Sequence, residues 1–184
     1  MKNTPTIESF TASLRAAFFG LSLAMLTLLF GQGMGVVFGL NEDAIKSRLA
    51  SSAAEVRETV YQGNDTAIKA VLDKSWVYMQ RAHLHAGGMG TTAFALGGFV
   101  CLLGAARRVT ATICLALGAG GLGYSVFWMW SGFRAPALGG TGAAKESLKW
   151  LAMPSSGIFV VATVSVLVLL IVTLVRRGQP DPGP

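Results

Sequence analysis

The chain has 184 residues, of which 52% are hydrophobic and only 13% are charged, and its net charge is +6. Soluble domains usually contain about 25% charged residues, so this composition argues against an ordinary soluble globular protein. The basic excess does not indicate nucleic-acid binding, because the sequence has no zinc-finger spacing and no basic patch interleaved with aromatic residues.

Four long stretches of the sequence contain no Asp, Glu, Lys or Arg: 16–41, 82–106, 109–133 and 150–175. A helix needs about 20 apolar residues to cross the hydrocarbon core of a bilayer, where charged side chains are strongly unfavourable. The sequence therefore predicts an all-α integral membrane protein, a four-helix bundle with transmembrane helices at 16–41, 82–106, 109–133 and 154–175. The first apolar run is too long for a typical signal peptide and lacks a following A-x-A site, so an uncleaved helix is expected. Small residues near its end leave cleavage as the alternative.

The charges between these segments predict how the chain is oriented. The ends on one side of the membrane carry basic residues: Lys2, Arg15, Arg107, Arg108, Arg176 and Arg177. Segment 42–81, on the other side, is net neutral. By the positive-inside rule, the N-terminal segment 1–15 and the tail 176–184 are expected in the cytoplasm. Compact loops and Ala/Gly-rich helices favour the bacterial inner membrane as the cell membrane concerned.

Segment 42–81 is predicted to form a helical hairpin outside the membrane, in the periplasm. Apolar residues recur at helical spacing in its first half, up to about residue 62, and Asn41 is a suitable N-cap. A Gly-Asn-Asp run then interrupts the pattern, and Asp65 or Thr66 can cap a second arm. No breaker follows this cap, so the second arm is expected to run straight into the second transmembrane helix.

The other outer segment, 134–153, is predicted to be a loop that contains a short interfacial helix. Its sequence AAKESLKWLAMP is amphipathic, with Leu148, Trp150 and Leu151 on one side and lysines on the other. The apolar side is expected to face lipid.

The most chemically suggestive residues lie at the outer mouth of the second transmembrane helix. His83 and His85 are the two histidines of the chain, and Met79 and Met89 each lie one helical turn from one of them. Methionine and histidine together suit copper or the iron of haem b. Residues two apart point about 200° away from each other on a helix, so both histidines reach one ion only if the helix breaks. The alternative is that both are interfacial polar residues and that no cofactor is bound.

Trp128 and Trp130 of the third helix, and Arg134 directly after it, map to the same boundary. Gln32 or Met34 can approach it from the first helix. In a redox protein, Trp128, Trp130 and Arg134 would surround a quinone headgroup. An aromatic belt at the membrane interface explains the tryptophans without any ligand.

The second and third helices are rich in glycine, which lets transmembrane backbones approach closely. The steps Ala93–Gly97 and Gly97–Cys101, with Gly118 opposite, predict a tight hairpin of these two helices. The fourth helix is dominated by Val, Leu and Ile, so it is expected to be peripheral and to face lipid.

The two cysteines of the chain, Cys101 and Cys114, stand at equal distances from the turn between the second and third helices. They are therefore expected at similar depth. A disulfide or a metal pair is conceivable, but cysteine is commonly a small buried apolar residue, and that is the interpretation favoured here.

No set of catalytic residues is recognisable in the sequence. The leading interpretation is therefore a non-catalytic accessory or scaffold subunit of a membrane assembly. Beside the lipid bilayer, its partner would be another protein or a second copy, met through the outer hairpin and the glycine-rich helices. A redox or metal-binding membrane protein centred on the two histidines is the first alternative. The second is a small solute channel formed by oligomerisation.

Overall fold

A computed structural model describes residues 7–178 of the chain, with side chains as far as Val175. Lys2, the side chains of Arg176 and Arg177, and the end of the predicted tail lie outside this part. Within it the protein is all-helical, as predicted, with five helices: α1 Ile7–Ala54, α2 Asp65–Leu103, α3 Arg107–Arg134, α4 Thr141–Ser147 and α5 Lys149–Gly178. Four of them, α1, α2, α3 and α5, are long and apolar enough to cross a membrane.

Helix α1 extends well beyond the first predicted membrane segment. Asn41, expected to start a new helix, instead forms a kink within α1, where its φ and ψ are −133° and 26°. The helix then ends at Ala54, so the prediction of a first arm reaching residue 62 is wrong. Turns follow, and the backbone cannot remain helical at Gln62 and Gly63, because both have a positive φ.

Helix α2 is continuous over 39 residues, from the outer arm through the membrane segment. This agrees with the prediction that the second arm runs directly into the second transmembrane helix. The predicted caps are wrong by one position, since the side chain of Asn64 accepts the hydrogen bond from the backbone N–H of Ala67 at 2.9 Å. Asn is a favoured N-cap because its side-chain oxygen satisfies an otherwise free donor of the first turn.

Helices α1, α2 and α3 pack against one another, and α5 packs mainly against α3. The buried face of the membrane part of α1 repeats at alternating steps of four and three residues: Ser13, Ala17, Gly20, Ala24, Thr27, Gly31 and Met34. Such a repeat makes a continuous seam along one side of a helix. Because six of these side chains are small, α2 and α3 can both approach the α1 backbone closely.

The closest backbone contact within the membrane part joins α1 to α3. A Cβ atom on Gly20 would overlap the backbone of Cys114, and one on Gly118 would overlap the carbonyl oxygen of Gly20. On α2, Gly97 faces Leu21 of α1 as well as the Cys114 thiol. Helices α2 and α3 do pack together, as predicted, and Gly97 takes part in that contact beside the Cys114 thiol. Gly118, expected to face α2, instead admits the backbone of α1.

Helix α5 lies at the periphery, as predicted. It approaches α3 most closely where Gly120 and Gly123 meet Ser155 and Phe159, and a Cβ on Gly120 would lie 2.7 Å from the Ser155 carbonyl oxygen. Elsewhere only a few α5 side chains, such as Val166, are buried. Most of its apolar surface is therefore available to lipid.

The predicted interfacial helix of the second outer segment is divided in two. Helix α4 ends at Ser147, and Leu148 breaks the helical conformation before α5 begins at Lys149. Leu148 is 1% exposed, so the expectation that it faces lipid is wrong, whereas Trp150 is 65% exposed. The break turns Leu148 inward, where α4 contacts α2, α3 and α5.

The outer segments form one packed unit, which we call the outer unit (residues 42–81 and 135–148). The Tyr61 hydroxyl, at the tip of the hairpin, donates a buried hydrogen bond of 2.7 Å to the carbonyl oxygen of Pro136. Val60 lies against Gly139 next to it. The loop after α3 therefore rises to the hairpin tip and fixes it.

Candidate functional site

His83 joins α2 to α1. Its Nδ1–H donates a hydrogen bond of 2.8 Å to the carbonyl oxygen of Gly31. Gly35 makes room for the ring, since a Cβ at that position would lie 2.9 Å from the imidazole Cε1. The ring of Phe38 packs edge-on at a centroid distance of 6.4 Å.

His85 points to the other side, toward α3. Its Nδ1–H donates a hydrogen bond of 2.7 Å to the carbonyl oxygen of Arg81, one turn earlier. The imidazole stacks on Trp128, with ring centroids 5.5 Å apart and an interplanar angle of 27°. Tyr124 contacts it edge-on at 5.2 Å.

The two histidines therefore do not converge, in keeping with their spacing on an unbroken helix. In each ring Nδ1 is used by a backbone carbonyl oxygen. The His83 ring lies against α1, and the His85 ring lies against α3. Among the residues that the structure describes, no group of three or more His, Cys, Asp or Glu side chains is placed to hold a metal ion.

The candidate methionine ligands both pack against α3. Met79 is 1% exposed, and its Cγ fills the space above Gly132. Met89 lies beside Gly121. Neither is directed toward α1, where His83 is held. The structure thus separates the four candidate ligands into one on the α1 side and three on the α3 side.

The predicted headgroup residues are also separated. Trp128 contacts His85 and is the only one of the three that the structure brings to a histidine, whereas Trp130 is 44% exposed. Arg134 is partly buried at the end of α3. From α1, Met34 packs with Ala82 and Ala86 of α2, while Gln32 is exposed.

Arg81 is a member of this site that sequence reasoning counted only as an outer charge. Its guanidinium carbon lies 5.1 Å from the ring centre of Trp128 and 5.4 Å from that of Tyr78. Tyr78 and Trp128 also contact each other edge-on, at 4.9 Å. The spacing of Tyr78, Arg81 and His85, three and four residues apart, is the signal that places them on one helix face. This cluster ties α2 to α3 at the outer boundary.

Two polar atoms near this cluster are buried without a hydrogen-bond partner among the described residues, Trp128 Nε1 and Ser131 Oγ. Both belong to α3.

A groove of about 700 Å³ lies between the two arms of the outer hairpin. Apolar side chains from both arms line it: Leu49, Ala50, Ile68, Leu72 and Trp76. Charged residues stand along its edges, where Lys46 pairs with Glu42 and lies 5.1 Å from the Trp76 ring centre. Sequence reasoning expected the arms to bury these stripes against each other or a partner, and the structure leaves part of both stripes open.

The hairpin tip is held by a charged contact as well as by Tyr61. Arg57 binds both carboxylate oxygens of Asp65, at 3.0 and 3.1 Å, and also pairs with Glu58. The Arg57 guanidinium lowers the pKa of the Asp65 carboxyl below its usual range. Burial raises the pKa of the Tyr61 hydroxyl.

The two cysteines are buried and free, and both belong to one small apolar cluster with Ala17 of α1. They therefore lie at similar depth, as predicted. The Cys114 thiol points to the Gly97 carbonyl oxygen at 3.7 Å, so it fills space between α2 and α3.

The fold fits a multi-pass helical membrane protein, because four of its helices are long and apolar enough to span a bilayer. Comparison with known proteins gives no closer assignment: no protein-family model, curated protein or solved structure matches the chain.

Proposed function

We propose that this protein is a non-catalytic accessory or scaffold subunit of a membrane assembly. The observation that carries the proposal is the open apolar groove between the arms of the outer hairpin. A groove between two antiparallel helices accepts the apolar face of a third helix by ridge-and-groove packing. The occupant we assign to it is an amphipathic helix of another chain in the assembly.

The membrane part supports this assignment, because close helix contacts fill it and its segments carry no charged side chains. The three-helix contact is closed by backbone approach at Gly20 and Gly118. The four charge-free segments contain no Asp, Glu, Lys or Arg, whereas pumps and ion pathways place ionisable groups at membrane depth. His83 and His85 each join a pair of helices through a backbone hydrogen bond or ring stacking. These interactions stabilise helix packing.

The proposal includes an orientation. The four long helices form a bundle across the bacterial inner membrane, with both termini in the cytoplasm and the outer unit in the periplasm. The asymmetric distribution of arginine and lysine supports this arrangement. The groove is then presented to periplasmic segments of other membrane proteins.

Site-specific photo-crosslinking in cells tests the proposal. A photoreactive residue replaces Ala50 or Lys69, which line the groove, and matched controls replace Ala54 or Lys74, which lie on the same two arms outside it. After extraction in mild detergent, we expect the same partner chain to be crosslinked from both groove positions and from neither control. Leu72→Glu should abolish both products.

Three outcomes would contradict the proposal. The first is an uncrosslinked monomer, and the second is the same set of products from groove and control positions. The third is crosslinking of the groove to a second copy of the chain alone, which would make the protein a homo-oligomer and revive the solute-channel alternative, to be measured as flux in liposomes.

The redox alternative rests on the two histidines and has less geometric support, since their rings lie against different helices. Absorption spectra and metal analysis of the purified protein separate the two functions. We expect no Soret band and no stoichiometric metal. A haem spectrum or bound copper that disappears in His85→Gln would favour the redox function instead.

A further inference from the structure

A second groove runs along the membrane surface of the protein, between α3 and α5. It consists of two adjoining cavities of about 700 and 370 Å³, which share four lining residues: Thr112, Ile113, Val161 and Ser165. The larger cavity extends from Val160 to Val172 on α5, about 18 Å at 1.5 Å per residue. That length is close to half of the roughly 30 Å hydrocarbon core, the depth of one leaflet.

The groove lies beside the contact between α5 and α3. That contact continues inward through the buried residues Ala162 and Val166, which pack with Ile113 and Leu117, and its closest approach is at the outer half of α5. The glycine contact at Gly120 and Gly123 holds that half against α3. Toward the α2–α3 turn, branched aliphatic side chains replace the glycines. A further cavity of about 380 Å³ lies between that turn and α5, and it shares Val109, Leu169 and Val172 with the larger cavity. The end of α5 near the turn is therefore only loosely enclosed by protein.

The same end of the groove carries uncompensated positive charge. Arg108 lines the larger cavity and Arg107 precedes it, and both are exposed. Among the described side chains, every ion pair lies between residues 42 and 149 in the outer segments, and neither arginine takes part in one. Helix α3 also begins without an acidic residue in its first turn, so its dipole adds to the positive potential.

We propose that this groove binds an anionic phospholipid of the bilayer. One acyl chain lies along the valine-rich trough between α3 and α5, and the phosphate is bound by Arg107 and Arg108. Apolar lining at leaflet depth with arginines at its end is complementary to such a molecule, since basic pockets between transmembrane helices bind anionic headgroups. Two unpaired guanidinium groups favour a lipid with net negative charge over a zwitterionic one.

Native mass spectrometry of the full-length protein in detergent tests the charge part of the proposal. We expect added phosphatidylglycerol to be retained and to raise the unfolding temperature, and phosphatidylcholine to do neither. The double variant Arg107→Gln/Arg108→Gln should lose at least tenfold in phosphatidylglycerol retention. Arg15→Gln, an exposed arginine expected on the same side, is the matched control and should bind like the wild type.

The apolar part is tested by filling the trough. Val161 lines both cavities and is 66% exposed, so Val161→Phe occupies the groove without disturbing the core. Val175→Phe, at a similarly exposed valine outside the groove, is the control. Equal retention of both lipids by the wild type would overturn the proposal. So would normal phosphatidylglycerol binding in both groove variants, or an equal loss in Arg15→Gln, which would indicate diffuse attraction.

Discussion

On two faces of α3, glycine lets a neighbouring helix approach closely, but the two contacts differ in length. On the α1 face, Gly118 admits the backbone of α1, and small residues continue the contact along the whole membrane part of that helix. On the α5 face, Gly120 and Gly123 admit the α5 backbone at its outer half, Ala162 and Val166 continue the contact, and grooves open beside it. Helices α1, α2 and α3 thus form a closed unit, and α5 is bound along one narrow face.

The comparison of these two faces shows that apolar composition and close packing are separate properties in a membrane protein. Helix α5 is the most apolar of the four, yet it buries the least. Lipid solvates Val and Leu as well as protein does, so close association between membrane helices depends on small residues and shape.

The largest effect is expected on the α1 face. Gly118→Val forces a side chain into the carbonyl oxygen of Gly20 and the backbone of Ala24, and backbone overlap of this kind should cost about 3 kcal/mol or more. We expect a large fall in the unfolding temperature in detergent or failure to yield folded protein. Gly98→Val is the control, because nothing lies within 4 Å of a Cβ at that position; equal loss in both variants would mean that α1 does not pack there.

A smaller effect is expected on the α5 face. Gly120→Val collides with Ser155 and Phe159 and should cost about 1–3 kcal/mol. Hydrogen exchange followed by mass spectrometry should show faster exchange in α5 and little change in α1. Gly157→Val, with open space around it, is the control. If exchange in α1 rises as much as in α5, the two faces are not independent.

A buried hydrogen bond joins the tip of the outer hairpin to the loop that follows α3. Tyr61→Phe leaves the buried Pro136 carbonyl without its donor and should lower the free energy of unfolding by about 1 kcal/mol. Tyr124→Phe, which removes the same atom from the aromatic cluster, is the matched control. An unchanged free energy of unfolding in Tyr61→Phe would mean that this hydrogen bond does not fix the hairpin tip to the loop after α3.

The same residue predicts a pH dependence. Because burial raises the pKa of Tyr61 in the folded protein, its contribution to stability is complete below the unfolded value of about 10. It is lost as the pH rises through the folded pKa. The unfolding temperature of the wild type should therefore fall more steeply above pH 10 than that of Tyr61→Phe.

The smallest effect is expected at the exposed pair of the tip. Arg57 lowers the pKa of Asp65, so this carboxylate stabilises the fold above its unfolded pKa, and the contribution disappears as the pH falls through the folded pKa. Asp65→Asn should flatten the acid side of the stability profile slightly. Asp73→Asn removes the other exposed carboxylate of the arm, and a flattening of the same size there would argue against a special role for the Arg57 pair.

The four long apolar helices could be predicted from the sequence because charge is excluded from lipid. The packing partners of these helices could be predicted only in part. The sequence pattern assigns the glycines of α2 and α3 to one hairpin, because a list of small residues does not reveal that α1 also fills the space beside them. The signal that was missed lies in α1, where small residues repeat from Ser13 to Gly31 in steps of four and three.

Local geometry explains the other misses. Asn41 is a good cap by type, and its non-helical backbone does divide α1, but the helix resumes directly after it, so the result is a kink. Leu148 follows an amphipathic pattern, and one non-helical residue at that position turns it from lipid to protein. For the candidate site, the divergence of His83 and His85 followed from helix periodicity, whereas the Gly31 carbonyl as partner of His83 required the packing of α1.

The unbroken path of α2 has a mechanical consequence. The helix is about 58 Å long at 1.5 Å per residue, and the same rod lines the outer groove with Trp76 and meets α1 in the membrane at Gly90. It contains no break between these two places. A displacement of its outer arm as a rigid body would therefore also displace the membrane part against α1.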